Sequence, residues 1–455
     1  MPLRLPNRFA CLLARSSVLL TAVMCGTLHS TAEGPAKSVP PTPSSSFPLE
    51  SFGYRPGAST AALRSGYINA TLAFIDADHL LLTYTARKLM ARAHDQRETD
   101  DDHTVRAEVI HLPDGKVMRE AEWRMHDRAQ YLWQLGGGRF LLRERGDLYA
   151  LDPLGGAEKD GLNRRLLLHS DNEIETLQLS PARDLLLVET TPPRMVGDDP
   201  TEKRERPVSA DFFRVVLESG GGVSLKERGH AMAHDAFSIA FTSMGVLQTV
   251  QEDRTHWGFD FHTFAGKNME LGGFTTTCRP SSIFVSDAEF FAFGCRGGED
   301  RKLMGGFNLL AEAKWVFTTD DSPVWLGVSN APAAGRFAVR NTLTTVTATE
   351  NDRLSNDEIR AQEVRVYSSR EGEELLRAYC SPAQRAGGNF ALSEDGLKLA
   401  VLHGAQLEVY ALPPVASLDR KLYEREQTAL VPLRPSAEMD VGVALHNARE
   451  KPRAQ

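Results

Sequence analysis

The sequence predicts an all-β fold made of repeated four-stranded units. Short apolar runs of strand length follow one another from about Leu49 to Leu412, with turn residues between them. Long stretches with the 3.6-residue apolar period of an amphipathic helix are nearly absent from this region of the sequence. A unit of apolar strand, tight turn and apolar strand recurs along the chain, which indicates a repeat architecture.

The clearest copy of the unit is FALSEDGLKLAVLHGAQLEVYAL, residues 390–412. Six similar units begin at Thr71, Tyr131, Thr176, Ser238, Ser282 and Leu326. Further strands that usually turn at glycine follow the inner hairpins, at 107–123, 212–225, 258–271 and 363–379, with looser copies at 146–159 and 306–317. Seven units of four strands, spaced by about 44 to about 63 residues, predict a seven-bladed β-propeller.

A closed ring requires a fourth strand in the last unit. Residues 390–412 supply three strands, and Pro413 and Pro414 cannot continue a ladder because proline lacks the N–H donor. The strand-like segment TAALRSGYIN, residues 60–69, is otherwise unassigned. We therefore predict that 60–69 is the outer strand of the last blade and closes the ring from the N-terminal side; the alternative is a surface loop.

Two turn patterns connect the repeats to a known group. Leu392-Ser-x-Asp-Gly396, and Asp114-Gly115-Lys116 followed by Trp123, resemble turns of WD40-like and TolB-like propellers, including quinoprotein-like ones. The resemblance covers nearly the whole mature chain and implies the fold alone, since propellers carry unrelated activities. The Gly-His and Trp-Asp dipeptides of strict WD40 repeats are missing as a repeating pair.

The first residues have the pattern of a secretory signal peptide. Arg4, Arg8 and Arg15 precede the apolar run 16–26, which is about half the length of a membrane helix. Ser30-Thr31-Ala32 offers small residues for cleavage after about Ala32. We predict a signal peptide at 1–32; the alternative is an uncleaved membrane anchor. The protein is then expected to be exported, either to a periplasm or as a secreted protein.

The predicted domain organisation follows. A Pro- and Ser-rich stretch at 33–48 is predicted to be a flexible spacer, the propeller to span 49–414, and 415–455 to be a partly disordered tail. Residues 418–431 of the tail could form a short helix or lie across the ring.

The net charge is −8, and losing the leader removes three arginines and no acidic residue. An acidic surface argues against nucleic acid or anionic membranes as partners. The sequence beyond residue 32 has no apolar run long enough to span a bilayer, and we expect a monomer.

Cys278 and Cys295 flank a strand-like segment and could form a disulfide in an oxidising compartment. Such a bridge would stabilise the fold by roughly 3 kcal/mol in the loop-entropy model. The alternative is three buried thiols, and Cys380 is expected to be buried in either case. The sequence contains no Cys-x-x-Cys spacing of a zinc or thioredoxin-type site.

Candidate chemistry is sparse, and we assign no catalytic, cofactor-binding or metal-binding residue. His256, Asp260 and His262 share one face of the predicted strand HWGFDFH and could bind a metal; the alternative is the exposed face of an amphipathic strand. The repeated serines Ser180, Ser286, Ser329 and Ser393 occupy the same place in the unit, which favours a turn role over that of a nucleophile. Gly-x-x-x-Trp docking turns of quinoproteins are poorly matched, so Trp123 and Trp315 are predicted to pack between blades.

Three charged segments are predicted to be insertions between strands: 95–104, 196–207 and 351–363. If all three lie on one rim of the ring, they form a surface for a partner.

The predicted function is an exported, non-catalytic propeller that binds a protein, a small molecule or a glycan. The alternative is an exported propeller enzyme, glycan-active or quinone-dependent, with its site at the mouth of the central channel. Acidic, basic or imidazole groups converging at that mouth would favour the enzyme.

Overall fold

The structure is a computed structural model that describes residues 41–56, 70–88, 102–126, 130–156, 162–193, 207–233, 239–297, 302–310, 313–319, 323–348, 352, 354–355, 357–385, 388–435, 439 and 441–449. These residues form seven antiparallel sheets of four strands each, which confirms the predicted all-β, seven-bladed β-propeller. All seven predicted inner hairpins are present. The looser copy predicted at 146–159 is wrong in its second strand. The outer strand of that blade lies further along the chain, at Arg164–His169.

The strands are numbered β1 to β28 in chain order, and blades are numbered by their innermost strand. Blade 1 contains β2 (Ala70–Phe74), β3 (His79–Lys88), β4 (His103–His111) and β5 (Lys116–Met125); blade 2 contains β6 (Leu132–Gly136), β7 (Arg139–Glu144), β8 (Asp147–Leu151) and β9 (Arg164–His169). Blade 3 contains β10 (Glu173–Leu179), β11 (Leu185–Thr191), β12 (Val208–Leu217) and β13 (Val223–Ala233); blade 4 contains β14 (Ala240–Thr242), β15 (Gly245–Gln251), β16 (His256–Thr263) and β17 (Asn268–Thr275). Blade 5 contains β18 (Ser281–Phe284), β19 (Glu289–Gly294), β20 (Leu303–Asn308) and β21 (Ala313–Thr318); blade 6 contains β22 (Gly327–Ala331), β23 (Arg336–Thr344), β24 (Ile359–Ser368) and β25 (Glu374–Cys380). Blade 7 contains β26 (Phe390–Leu392), β27 (Lys398–His403), β28 (Gln406–Ala411) and, as its outer strand, β1 (Ser45–Pro48).

The outer strand of blade 7 corrects two expectations. β1 pairs antiparallel with β28, with Ser45 opposite Val409 and Pro48 opposite Gln406, so residues 60–69 are not the partner of β28. Residues 60–69 themselves lie outside the described residues. The segment 45–48, which the composition placed in the flexible spacer, is therefore part of the propeller. Its short length and Pro48 suit an edge strand, where a missing N–H leaves no ladder bond unmade.

Seven hydrophobic clusters fill the spaces between neighbouring blades. Leu72 of blade 1 and Leu407 of blade 7 belong to one such cluster, which places the first and last blades side by side. Trp123 is buried between blades 1 and 2, and Trp315 of blade 5 donates its indole N–H to the carbonyl oxygen of Ser369 in blade 6 at 2.9 Å. Both tryptophans thus pack between blades, as predicted.

Turn glycines permit close approach between blades. Gly115 has φ +67°, and a Cβ there would lie 2.4 Å from Cδ1 of Phe47 in β1. Gly396 has φ +68°, and a Cβ would lie 2.6 Å from the Cβ of Ala334 in the neighbouring blade. Each position therefore needs glycine both for its left-handed backbone and for interblade contact.

The two faces of the ring are defined by the connections. In each blade the first strand turns into the second at one face, the turn side, and the second connects to the third at the opposite face, the loop side. The connections from one blade to the next inner strand also lie on the loop side, because four antiparallel strands return the chain there.

The C-terminal segment packs against the propeller, and the short helix that the sequence allowed at 418–431 is present. Helix α1 spans Ser417–Leu430 and helix α2 spans Val441–Arg449. Leu430 is buried in the cluster between blades 4 and 5, and Val441 and Leu445 are buried in the cluster between blades 3 and 4. Within the described part of the chain, neither helix combines the length and the apolar character needed to cross a bilayer.

Candidate ligand-binding channel

A cavity of about 750 Å³ occupies the centre of the ring. All seven innermost strands, or the residues beside them, contribute to its wall. Apolar residues from all seven blades are among those that line it: Leu72, Leu132, Leu179, Phe241, Ile283, Val328 and Phe390. The volume lies within the range of about 300–1,000 Å³ that is usual for small-molecule sites.

Polar groups of the wall are mostly neutral. Amides come from Gln130, Gln134, Gln178 and Asn330, and hydroxyls come from Thr71, Ser180, Ser282 and Ser329. The charged side chains among the described lining residues are three arginines, Arg183, Arg340 and Arg385. The cavity wall therefore combines apolar residues, hydrogen-bonding groups and positive charge, with neither polar nor apolar surface in clear excess.

Arg183 lies in the turn between β10 and β11, and the hydrogen bonds of that turn fix its backbone. The Ser180 hydroxyl accepts hydrogen bonds from the backbone N–H groups of Asp184 and Leu185 at 3.2 and 3.0 Å, and the N–H of Arg183 donates to the Ser180 carbonyl oxygen at 2.8 Å. This turn holds Arg183 at φ +62°, a left-handed conformation that is unfavourable for a side-chain-bearing residue. The same position of the unit in blade 7 is Gly396, at φ +68°.

The Arg183 side chain crosses the turn-side end of the channel. Its Nη2 lies 3.5 Å from the carbonyl oxygen of Asn330 in β22. Blades 3 and 6 are three places apart in a ring of seven, so they face each other across the centre. Burial lowers the pKa of Arg183, an effect that the charge of Glu394 opposes. The guanidinium thus forms part of the channel floor on the turn side.

The other two arginines lie nearer the loop side. Arg340 is 1% exposed, and its Nη1 donates to Oδ1 of Asn389 at 3.1 Å. Arg385 lies with its Cζ 5.7 Å from the centre of the Trp325 ring, within cation–π range. Both side chains are fixed by neighbours from blades 6 and 7, so their positive charge has a set position on the wall.

A pair of carboxylates lies on the turn side, outside the cavity wall. Asp287, 3% exposed, accepts a hydrogen bond from the Ser243 hydroxyl at 3.4 Å, and its Oδ1 has no hydrogen-bond partner among the described residues. Burial and the nearby Asp184 carboxylate raise the pKa of Asp287 to about 7, against the opposing charge of Arg434. Asp287 is accordingly a carboxyl group that titrates near neutral pH.

The three charged segments connect strands that end at one rim. They lie between β3 and β4, between β11 and β12, and between β23 and β24, which are all second-to-third connections on the loop side. Residues 95–101 and 196–206 lie outside the described residues, as do some of 351–356. Two described residues of these segments are buried. Asp102 is 2% exposed and its carboxylate lies 2.8 Å from His126 Nδ1, and Leu354 packs beside Trp325. Ile359–Glu363 belongs to β24.

Cys278 and Cys295 are joined by a disulfide, with their Cα atoms 5.4 Å apart. Cys278 follows β17 and Cys295 follows β19, which places the bridge on the loop side of blade 5. The N–H of Cys295 also donates to the Thr276 hydroxyl at 2.7 Å. Cys380 is a buried free thiol whose pKa is raised to about 12 by burial.

The strand HWGFDFH, part of β16, does not present one uniform polar face. His256 is exposed, whereas His262 is 6% exposed and lies between Gln248 Oε1 at 2.7 Å and Asn268 Oδ1 at 2.9 Å. The pairing register shifts between Trp257 and Phe259, which breaks the simple alternation. His262 is therefore held by amide groups within the blade. Among the described residues, no group of three or more His, Cys, Asp or Glu side chains is arranged to hold a metal ion.

The repeated serines divide into two roles. Ser180, Ser286 and Ser393 accept hydrogen bonds from backbone N–H groups of their own turns, as predicted. Ser329 lies in β22 and accepts a hydrogen bond from the N–H of Leu392 at 3.1 Å, joining blade 6 to blade 7.

The channel arginines and Asp287 carry no sequence motif that singles them out. The one available signal was an arginine, Arg183, at a position of the unit where blade 7 has a glycine. Arg340 and Arg385 come from different parts of blades 6 and 7 and meet only at the centre of the ring.

Fold and cavity together define a β-propeller with a central pocket. No protein-family profile and no curated protein matches the chain. Among solved structures, it is similar to the acylaminoacyl peptidase of Pyrococcus horikoshii at 10% identity and a TM-score of 0.41, with 80% of this chain and 55% of the peptidase covered. It is also similar to a chain of the mitotic checkpoint complex, at 11% identity and a TM-score of 0.38, with 90% and 99% covered. The chain thus spans about half the length of the peptidase, and similarities at this level carry no argument about activity.

Proposed function

We propose that the protein is an exported binding protein that takes a ligand or a partner through the loop-side mouth of its channel. The observation that carries this proposal is the cavity of about 750 Å³ at the centre of the ring, whose floor Arg183 crosses on the turn side. A cavity of this size, lined by both apolar and hydrogen-bonding residues, can hold a small ligand.

The rim around the mouth supports the same direction of binding. The described strands of blades 1, 3 and 6 that flank the three charged segments end at the loop side. The turn side, in contrast, is partly occupied by helix α1, through the ion pairs of Asp419 with Arg370 and of Glu426 with Lys314, both at 3.2 Å. Loops positioned by a rigid scaffold are the common location of recognition.

Partner capture with the mature chain tests the proposal. We expect wild-type protein to retain a partner after crosslinking, a variant with residues 194–206 replaced by a short Gly-Ser linker to lose it, and Glu218→Ala on the turn side to retain it. Equal capture by all three proteins would contradict binding at the loop-side rim. Failure of every protein to capture a partner, together with failure to bind small ligands, would contradict the binding function itself.

Export is tested separately. Fusing residues 1–48 to a reporter that is active only in an oxidising compartment should give activity, and the mature chain should begin at Glu33. A full-length chain retained in the cytosol would overturn export while leaving channel binding open.

Two observations favour the alternative, an exported enzyme. The basic groups Arg340 and Arg385 converge on the loop side of the cavity, as expected for an enzyme with its site there. The second observation concerns proton transfer. A carboxyl group with a pKa of about 7, as at Asp287, is suited to proton transfer near neutral pH. Hydrolysis of a glycan by wild-type protein that is lost in Asp287→Asn, with the fold retained, would support the enzyme. Asp287 lies on the turn side, outside the cavity wall, so binding is the better supported function.

A further inference from the structure

We propose, building on the ligand-binding function above, that the channel binds an elongated organic anion. Its charged end lies against Arg183 at the floor, and its apolar body lies along the inner strands. The ligand class is a carboxylate or sulfonate on an apolar framework, with the anionic end entering first from the loop side.

The charge of the cavity contrasts with that of the whole chain. The protein carries a formal net charge of −8, yet the charged side chains among the described lining residues are three arginines. A cationic pocket with low-dielectric walls attracts an anion more strongly than the same charge in water. The channel is thus suited to select an anion in spite of the acidic surface.

Arg183 is the group placed to receive the anionic end. In the part of the chain that the structure describes, its guanidinium makes one hydrogen bond, to the Asn330 carbonyl oxygen at the long distance of 3.5 Å. A guanidinium has five N–H donors, so several remain for a ligand. Its backbone is held at φ +62° where blade 7 uses glycine, and unfavourable conformations of this kind occur where function requires the side chain.

The walls favour an apolar body over a compact inorganic anion. Leu72, Leu132, Leu179, Ile283, Val328 and Phe390 line the cavity from six different blades. A cavity of about 750 Å³ is far larger than a phosphate or sulfate ion needs. An elongated anion would cover the partly exposed Leu179, Ile283 and Val328 while its charged end is paired at the floor.

Two fluorescent probes with the same aromatic framework test the proposal on the mature protein. Anilinonaphthalene sulfonate carries a sulfonate, and N-phenylnaphthylamine is its neutral counterpart. We expect saturable binding of one sulfonate probe per chain, at least about tenfold tighter than the neutral probe, because a hydrogen-bonded charge pair contributes that order of affinity. Equal affinity for both probes would overturn the choice of an anion and leave the binding function standing.

Substitutions test whether Arg183 is the residue that binds the anionic end of the probe. Arg183→Gln should weaken sulfonate binding by about tenfold and leave the neutral probe unchanged. Arg145→Gln is the matched control, since Arg145 also has a positive φ, of 53°, but is not among the residues lining the cavity; its binding should equal that of wild type. Arg183→Gly should lose sulfonate affinity while raising the melting temperature, because glycine accepts the left-handed backbone. Unchanged sulfonate affinity in folded Arg183→Gln or Arg183→Gly would overturn the proposal. Failure of both probes to bind, with failed partner capture, would instead overturn the proposed function.

Discussion

Lys314 of blade 5 lies 3.2 Å from Glu426 of helix α1, so an ion pair connects the C-terminal segment to the propeller. Lys314 also pairs with Glu289, whose second oxygen accepts a hydrogen bond from the Ser369 hydroxyl at 2.6 Å. The two carboxylates raise the pKa of Lys314 despite its burial. One ammonium group is therefore shared by two largely buried carboxylates.

Replacing this lysine should release helix α1. Lys314→Met leaves Glu289 and Glu426 close together without a counter-charge, and we expect a loss of about 3 kcal/mol in the free energy of unfolding. Urea denaturation measures the loss, and limited proteolysis should cut the chain after residue 414 faster than in wild type. Lys116→Met removes an exposed ion pair with Asp114 and should change neither result. An unchanged proteolysis pattern in Lys314→Met would show that other contacts hold the helix.

Asp287 should make stability depend on pH near neutrality. Its folded pKa of about 7 lies above the unfolded value of 3.8, so its favourable contribution is complete below about pH 4 and is lost as the pH rises through 7. Asp287→Asn stays neutral at every pH. The stability of the variant relative to wild type should therefore rise by up to about 4 kcal/mol between pH 4 and pH 8.

The neighbour of Asp287 provides the control for this dependence. Asp184→Asn removes the nearby negative charge that helps to raise the pKa of Asp287, so the pH at which the loss of stability is complete should move downward. Chemical denaturation across the pH range measures both variants. A difference between Asp287→Asn and wild type that is the same at pH 5 and pH 8 would mean that Asp287 does not titrate in this range.

The disulfide predicts a defined thiol count. Alkylation of the unfolded mature chain without reductant should modify Cys380 alone, and alkylation after reduction should modify Cys278 and Cys295 as well. Replacing Cys278 and Cys295 together by serine should cost roughly 3 kcal/mol of stability. Intact-mass analysis gives the count, and three modified thiols in unreduced protein would refute the bridge.

Helix α2 depends on a glycine in blade 3. A Cβ at Gly229 would lie 2.4 Å from Cγ2 of Val441, so Gly229→Ala should displace the helix and cost about 1–3 kcal/mol. The cost should shrink in the background of Val441→Ala, because the two substitutions act on one contact. Gly220→Ala, with open space around its Cβ, is the control and should unfold like wild type. Additive costs in the double variant would show that Gly229 acts through its own backbone.

Local hairpins were predictable because both partners lie within one short stretch of sequence. In 390–412, Ser393 and Gly396 specify the first turn, and the flanking apolar residues fill the interblade clusters. The repeated form of that stretch then determined the number of blades. Sheet pairing and core packing follow from the same residues, so pattern and structure agree.

Long-range features were harder to predict. β1 has four residues, SSFP, and its place depends on the free edge of β28 and on Phe47 meeting Gly115, neither of which lies nearby in sequence. The burial of Val441 likewise depends on space above Gly229. The three arginines of the channel line one cavity only because blades 3, 6 and 7 surround the same axis; they are Arg183, Arg340 and Arg385.

The pairing of β1 with β28 also sets an order of assembly during synthesis. The Ser44 hydroxyl and the Val409 carbonyl oxygen that it contacts are separated by 365 residues, so the first strand made must wait for the last. A ribosome emits roughly 5–20 residues per second, which leaves about 20–70 s between the two strands. During that interval blades 1 to 6 can form while β1 has no partner and exposes an unpaired strand edge. Chaperone binding to Ser45–Pro48 before synthesis ends would keep that edge from pairing with other molecules.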